Sequence, residues 1–188
     1  MSKILSLLTG FVLFMTAAMA QEPTKAEPFT LEDVTGKKHS LSDYKDSKAI
    51  VVMFIATQCP VSNAYNERMA AIEKDYRGKG VTFLGVNSNK QESVEEIREH
   101  AKKHGFGFPV LKDHENVIAD KFNASFTPEV YVLNGTFDIL YHGRIDDSQR
   151  VEKVKVQDLR TALDEILAGK SVTTARTKAF GCTIKRVS

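Results

Sequence analysis

The segment Ala49-Ile-Val-Val-Met-Phe-Ile-Ala-Thr-Gln-Cys-Pro60 joins eight consecutive apolar residues to a cysteine followed by proline. The apolar run does not alternate with polar residues and is rich in branched side chains, which predicts a central strand covered on both faces. Proline suits the first position of a helix, and Tyr65, Met69, Ile72 and Tyr76 recur at helical spacing, predicting a helix over 61–76. Cys59 therefore falls where a buried strand hands over to a helix. Amide N–H groups at a helix start have no partner within the helix, and the dipole adds roughly half a positive charge there. Both favour thiolate over thiol, and cysteines placed this way reach pKa values of about 3.5–7.5 against a free value of about 8.5. The thiolate is the form that attacks disulfides and peroxides. Ser62, three residues on, is placed to turn its hydroxyl back toward the sulfur across one helical turn. The alternative reading is a half-buried structural cysteine.

Outward from this turn, the pattern alternates between strand and helix. Phe29–Val34 reads as an edge strand closed by a turn at Thr35-Gly36-Lys37, and Val81–Val86 reads as a second buried strand. Ser93-Val-Glu-Glu96 is a capping box that opens a helix running to Gly105. Phe108–Leu111 is a short extended piece and Val117–Phe122 a short helix. Glu129–Leu133, Asn134-Gly135 and Phe137–Tyr141 read as a hairpin with a type I′ turn. Val156–Leu167 is a last amphipathic helix, with Leu159, Leu163, Ile166 and Leu167 on or near one face. Early β-α-β units give parallel strands and the late hairpin an antiparallel edge. The expected architecture is α/β, a mixed central sheet with helices on both faces.

The chain has 188 residues, 27% charged and 42% hydrophobic, so collagen-like, low-complexity and disordered classes are excluded. A net charge of +2 gives no field that would draw nucleic acid or anionic lipid. Lys3, the apolar run Ile4–Ala17 and Ala18-Met19-Ala20 have the form of a secretory signal peptide cut after residue 20. The expected organisation is a signal peptide over 1–20, a loose leader over 21–28, one domain over 29–169, and a basic tail over 170–188 that carries Cys182. The mature protein is expected in a periplasmic or extracellular space, where disulfides persist, with no stable membrane insertion.

Four segments taken in order carry a family resemblance: Val51–Pro60, Phe126-Thr-Pro-Glu-Val-Tyr-Val132, Tyr141-His-Gly-Arg-Ile-Asp-Asp147 and Gly181-Cys-Thr-Ile-Lys185. The first resembles the active-site turn of thioredoxin-fold proteins, and the second the proline-bearing loop that faces the reactive cysteine. The last two resemble the peroxiredoxin-like branch of exported redoxin-domain proteins, related to the alkyl hydroperoxide reductase/thiol-specific antioxidant group. The resemblance spans residues 28–185. It implies a thioredoxin-like fold, a redox-active Cys59 and a cis Thr127–Pro128 bond, with Thr127 backbone groups left to pair with an extended substrate. The chain departs from the thioredoxin pattern at Cys59-Pro60-Val61-Ser62, which lacks the second cysteine of Cys-x-x-Cys. It departs from the peroxiredoxin pattern at Val52 and Ala56, where a proline and a threonine are usual.

Three readings of Cys182 compete. It is a resolving thiol that closes a bridge to Cys59, half of a permanent bridge, or a free thiol. In the chain-entropy model a bridge over so long a loop is worth about 4–5 kcal/mol. The first reading is preferred, making the protein a thiol-dependent oxidoreductase; the competing class is a binding module with a structural bridge. Arg144 is a candidate cation beside the sulfur, or else a partner for Asp146 or Asp147. The expected partners are a protein disulfide or thiol, or a small hydroperoxide, with an external thiol as electron donor. No cofactor or metal is expected, since the five histidines show no ligand spacing.

Overall fold

A computed structural model describes residues 23–187; the expected signal peptide lies outside them. The strands are β1 (Thr30–Glu32), β2 (Lys38–Ser40), β3 (Ala49–Phe54), β4 (Val81–Asn87), β5 (Val110–Lys112), β6 (Phe126–Thr127), β7 (Glu129–Leu133), β8 (Ile139–Gly143) and β9 (Cys182–Thr183). The helices are α1 (Pro60–Asn63), α2 (Asn66–Tyr76), α3 (Val94–Lys103), α4 (Val117–Phe122) and α5 (Asp158–Leu167). The central sheet has the order β5-β4-β3-β7-β8. β3, β4 and β5 run parallel to one another, β7 is antiparallel to β3, and β8 is antiparallel to β7.

Every residue of β3 is buried. Strand pleating sends Ala49, Val51, Met53 and the following Ile55 into one core with Tyr65, Met69 and Ile72 beside α2 and Leu159, Ala162 and Leu163 of α5. Ile50, Val52 and Phe54 enter the opposite core with Ile118, Ala119 and Phe122 of α4. The sheet is thus covered on both faces, as the unbroken apolar run requires. The fold is thioredoxin-like.

Three local expectations are corrected. The helix expected over 61–76 breaks after Asn63 into α1 and α2. The break is imposed from outside: Tyr65 is buried, donates its hydroxyl to Asp146 at 3.1 Å and packs edge-on against Phe180. The hairpin has no two-residue type I′ turn. β7 and β8 are joined by residues 134–138, in which Asn134 Oδ1 accepts the N–H groups of Thr136 and Asp138, and Phe137 takes the left-handed conformation. Gly135 is needed for close approach, since a Cβ there would collide with the Lys45 carbonyl oxygen. Finally, the leader is not loose over 24–26. Ala26 is buried, its N–H donates to the Phe137 carbonyl, and the Thr24 carbonyl accepts from Ile139 N–H.

Both outer strands are covered along part of their length. Val34 N–H donates to the Val110 carbonyl on the β5 side, and Ala175 and Thr177 exchange backbone hydrogen bonds with His142 on the β8 side. Unpaired strand edges invite association with other chains, and these contacts blunt both.

Candidate active site

Cys59 caps α1 in an extended conformation, and its sulfur accepts the Ser62 N–H at 3.2 Å. α1 has only four residues, so the field of a long helix is absent and this single local amide stabilises the sulfur. The Ser62 hydroxyl does not face the sulfur. Its Oγ accepts the Ala56 N–H at 3.1 Å, closing the end of the strand over the cysteine turn. On the other side, Cys59 Sγ lies 3.4 Å from the Thr127 carbonyl oxygen, and the Thr127–Pro128 bond is cis.

Cys59 and Cys182 form a disulfide with a Cα–Cα separation of 5.9 Å, ordinary for such a bridge. Cys59 is 4% exposed and Cys182 is half-buried. The burial of Cys59 has a specific source, because the tail crosses it as β9. Thr127 pairs with Cys182 and Phe126 with Thr183, antiparallel. The Thr127 backbone, expected to stand free for an extended substrate, is therefore engaged by the chain's own tail. Gly181 permits this approach, since a Cβ there would collide with the Thr127 carbonyl oxygen.

The tail is held on both sides of the bridge by other contacts. Before it, the Thr177 hydroxyl pairs with Tyr141 at 2.8 Å, and Phe180 packs on Tyr65. After it, Ile184 is buried and donates its N–H to the Ser125 carbonyl at 3.0 Å. Lys185 N–H donates to Asn89 Oδ1 at 2.7 Å, and Arg186 donates to Asp120 and to the Ala124 carbonyl.

Arg144 does not pair with Asp146 or Asp147. Its guanidinium donates to Asp158 of α5 at 2.8 Å and 3.4 Å, which raises its pKa further. Asp146 is taken by Arg68 at 2.6 Å, and Arg68 also donates to the Ala64, Ser148 and Gln149 carbonyls.

Two buried carboxylates frame the site, and neither was singled out from sequence. Glu92, 2% exposed, accepts the N–H groups of Thr57 and Gln58 at 2.7 Å and 3.1 Å, fixing the loop that leads into Cys59. Glu129 follows the cis proline and accepts the Ser125 and Phe126 N–H groups and the His142 ring. Burial pushes the Glu129 carboxyl up, but the hydrogen bonds from His142, Phe126 and Ser125 outweigh it and hold the carboxyl below its ordinary range. The sequence sign of the first carboxylate is the polar run Asn87-Ser-Asn-Lys-Gln-Glu92 directly after a buried strand. Among the described residues no three His, Cys, Asp or Glu side chains gather at metal-binding distance.

A strand-to-helix cysteine bridged across a cis-proline loop in this topology defines an oxidoreductase of thioredoxin-like fold. Residues 23–148 match the AhpC/TSA family, and the chain belongs to it. The chain is 28% identical over 153 residues to the thioredoxin-like protein YneN of Bacillus subtilis, covering 78% of this chain and 88% of that one. It is 31% identical over 113 residues to the thiol-disulfide oxidoreductase ResA of the same organism, covering 60% of this chain and 62%, less than two thirds, of ResA. Among solved structures, a hypothetical protein from Sinorhizobium meliloti 1021 is 33% identical with a TM-score of 0.83, over 90% of this chain and 97% of that one.

Proposed function

We propose that the chain is an exported thiol–disulfide oxidoreductase that works through a reversible Cys59–Cys182 bridge. The observation that carries this reading is the seating of Cys182 on Thr127, directly over the Cys59 sulfur. A resolving thiol belongs at that position, since it must reach the sulfur that has just formed a mixed disulfide. Relatives named ResA lend the substrate class.

In the reduced protein, once the Cys182 strand lifts from Thr127, the Cys59 thiolate attacks one sulfur of a substrate disulfide. A Cys59–substrate disulfide forms, and the substrate's other sulfur leaves as a thiolate. The Cys182 thiolate then attacks Cys59 Sγ, closing the bridge and expelling the second substrate thiolate. The substrate gains two electrons and the cysteine pair loses two. A first external thiolate attacks Cys182, the more exposed partner, and Cys59 leaves as thiolate. A second external thiolate then attacks the donor sulfur of that mixed disulfide, freeing Cys182 and leaving as an external disulfide. The external thiols lose two electrons and the cysteine pair regains them. The Ser62 N–H favours the departure of Cys59 because it stabilises the Cys59 thiolate.

Disulfide exchange fits better than peroxide reduction. Arg144, the candidate cation for the sulfur, is engaged by Asp158, and the proline and threonine usual before a peroxidatic cysteine are replaced by Val52 and Ala56. The N-terminal pattern supports export, and no helix among the described residues is long and apolar enough to cross a membrane. Export is checked by sequencing the mature N-terminus, which should begin at Gln21.

The deciding experiment is a glutathione redox titration of the native protein followed by alkylation and intact mass. The bridge should open without denaturant, and Cys59→Ser and Cys182→Ser should each abolish catalytic turnover of a disulfide substrate. A bridge that stays closed until the domain unfolds would overturn the reading in favour of a binding module with a structural disulfide. Stopped-flow oxidation by hydrogen peroxide should run no faster than for a free thiol; a much faster rate would transfer the assignment to peroxide.

A further inference from the structure

Glu92 is a buried carboxylate with four donors. Besides the Thr57 and Gln58 amides it accepts Asn87 Nδ2 at 2.6 Å and Asn89 Nδ2 at 3.0 Å. These donors fill the roughly four lone-pair positions of a carboxylate. Asn89 then reaches the tail: its Oδ1 accepts Lys185 N–H at 2.7 Å, and the adjacent Lys90 N–H donates to the Lys185 carbonyl at 2.8 Å. Lys112, also buried, donates Nζ to Asn87 Oδ1 at 3.2 Å and to the Asn89 carbonyl at 2.7 Å, which places a compensating positive charge on the same cluster. One carboxylate thus connects the loop entering Cys59 to the tail three residues beyond Cys182, by a route that does not pass through the disulfide.

We propose that Glu92 is a positioning residue for the cysteine pair. With Asn89 as its extension, it keeps the Cys59 loop and the Cys182 strand in register while the bridge is open, so the two thiols stay within reach of each other. This rests on the reading of the bridge as reversible. Holding reacting groups in place converts an encounter into an intramolecular step, and that gain is read directly as an effective concentration. Glutamine at position 92 keeps the shape but has one acceptor oxygen, and its amide nitrogen would face an N–H donor. Alanine at position 89 leaves the loop amides on Glu92 and removes the side-chain link from Glu92 to the Lys185 amide, while the Lys90 N–H stays on the Lys185 carbonyl.

The test is the equilibrium of the pair with glutathione in wild type, Glu92→Gln and Asn89→Ala, together with hydrogen exchange of the reduced proteins. Effective concentration should fall about tenfold or more in Glu92→Gln, the scale set by losing a hydrogen bond to a charged group. The Thr57, Gln58 and Lys185 amides should exchange faster. Asn89→Ala should lower the effective concentration while speeding exchange at Lys185 alone. A folded Glu92→Gln protein with effective concentration within twofold of wild type would overturn the proposal. If Glu92→Gln does not fold, an unchanged equilibrium in Asn89→Ala overturns it instead. A wild-type bridge that glutathione cannot open sinks the reversible reading itself, an outcome distinct from a variant that behaves like wild type.

Discussion

At Cys59 the sulfur takes one backbone N–H from Ser62, while the Ser62 hydroxyl serves the Ala56 amide. Ser62→Ala therefore orphans a buried amide and leaves the donor to the sulfur in place. Stability is expected to fall by about 1–3 kcal/mol, the cost of an unsatisfied buried donor. The pH profile of Cys59 alkylation in the reduced protein should not move. Denaturant unfolding and iodoacetamide rates across pH check the two halves separately; a shifted alkylation profile would give the hydroxyl a role at the sulfur. From sequence the spacing of Cys59 and Ser62 was readable, but not which atom of Ser62 faces the sulfur. That choice depends on Ala56 N–H emerging from β3 without a strand partner.

Two elements govern access to the site, the cis-proline loop and the tail strand. The tail can lie on β6 because residue 181 has no side chain. Gly181→Ala should displace Cys182 from Thr127 and lower the effective concentration of the pair about tenfold or more, as small misplacements of reacting groups do. Glutathione equilibration measures it, and an unchanged value would mean that the strand tolerates the side chain. The loop itself is fastened by Glu129, whose carboxyl is depressed in the folded state. A depressed carboxyl stabilises above its unfolded pKa of about 4.3, and that stability is lost as pH falls through the lower folded value. Wild type should accordingly lose stability as the pH drops below about 4.3. Glu129→Gln should be less stable at neutral pH and lack that part of the acid loss, as denaturation across the acid range would show. The capping box at Ser93 formed as its residues predict, with Ser93 Oγ accepting Glu96 N–H at 3.2 Å. The long helix expected over 61–76 did not form, because its apolar spacing describes which residues are buried and carries no record of Tyr65 being anchored to Asp146.

For the whole molecule, the tail behaves as part of the domain. It is tied to β8, to β6, to the loop after β4 and to α4, so reduction removes one link among several. Reduction is expected to lower stability by up to about 4–5 kcal/mol in the chain-entropy model without releasing residues 175–187. Limited proteolysis of the reduced protein tests this, and rapid cleavage within 175–187 would show that the bridge alone holds the tail. A docked tail also bears on function: β9 covers Cys59 and has to lift for a substrate, while the anchors on either side at Thr177 and Arg186 keep Cys182 close enough to return and close the bridge.

The five strands of the central sheet in their chain order, the helices α3, α4 and α5, the doubly covered β3, the strand-to-helix position of Cys59 and the cis bond before Pro128 were legible from the chain, the last through its resemblance to a fold family; the short strands β2, β6 and β9 were not. Periodicity, capping residues and proline act over a few neighbours, so their signals survive in one dimension. The seat of Cys182 on Thr127, the pairing of Arg144 with Asp158 and the gathering of Thr57, Gln58, Asn87 and Asn89 on Glu92 were settled only by tertiary structure. Each joins groups through space, where a buried charge or an unpaired amide accepts whichever partner the packing delivers, and sequence distance places no constraint on that choice.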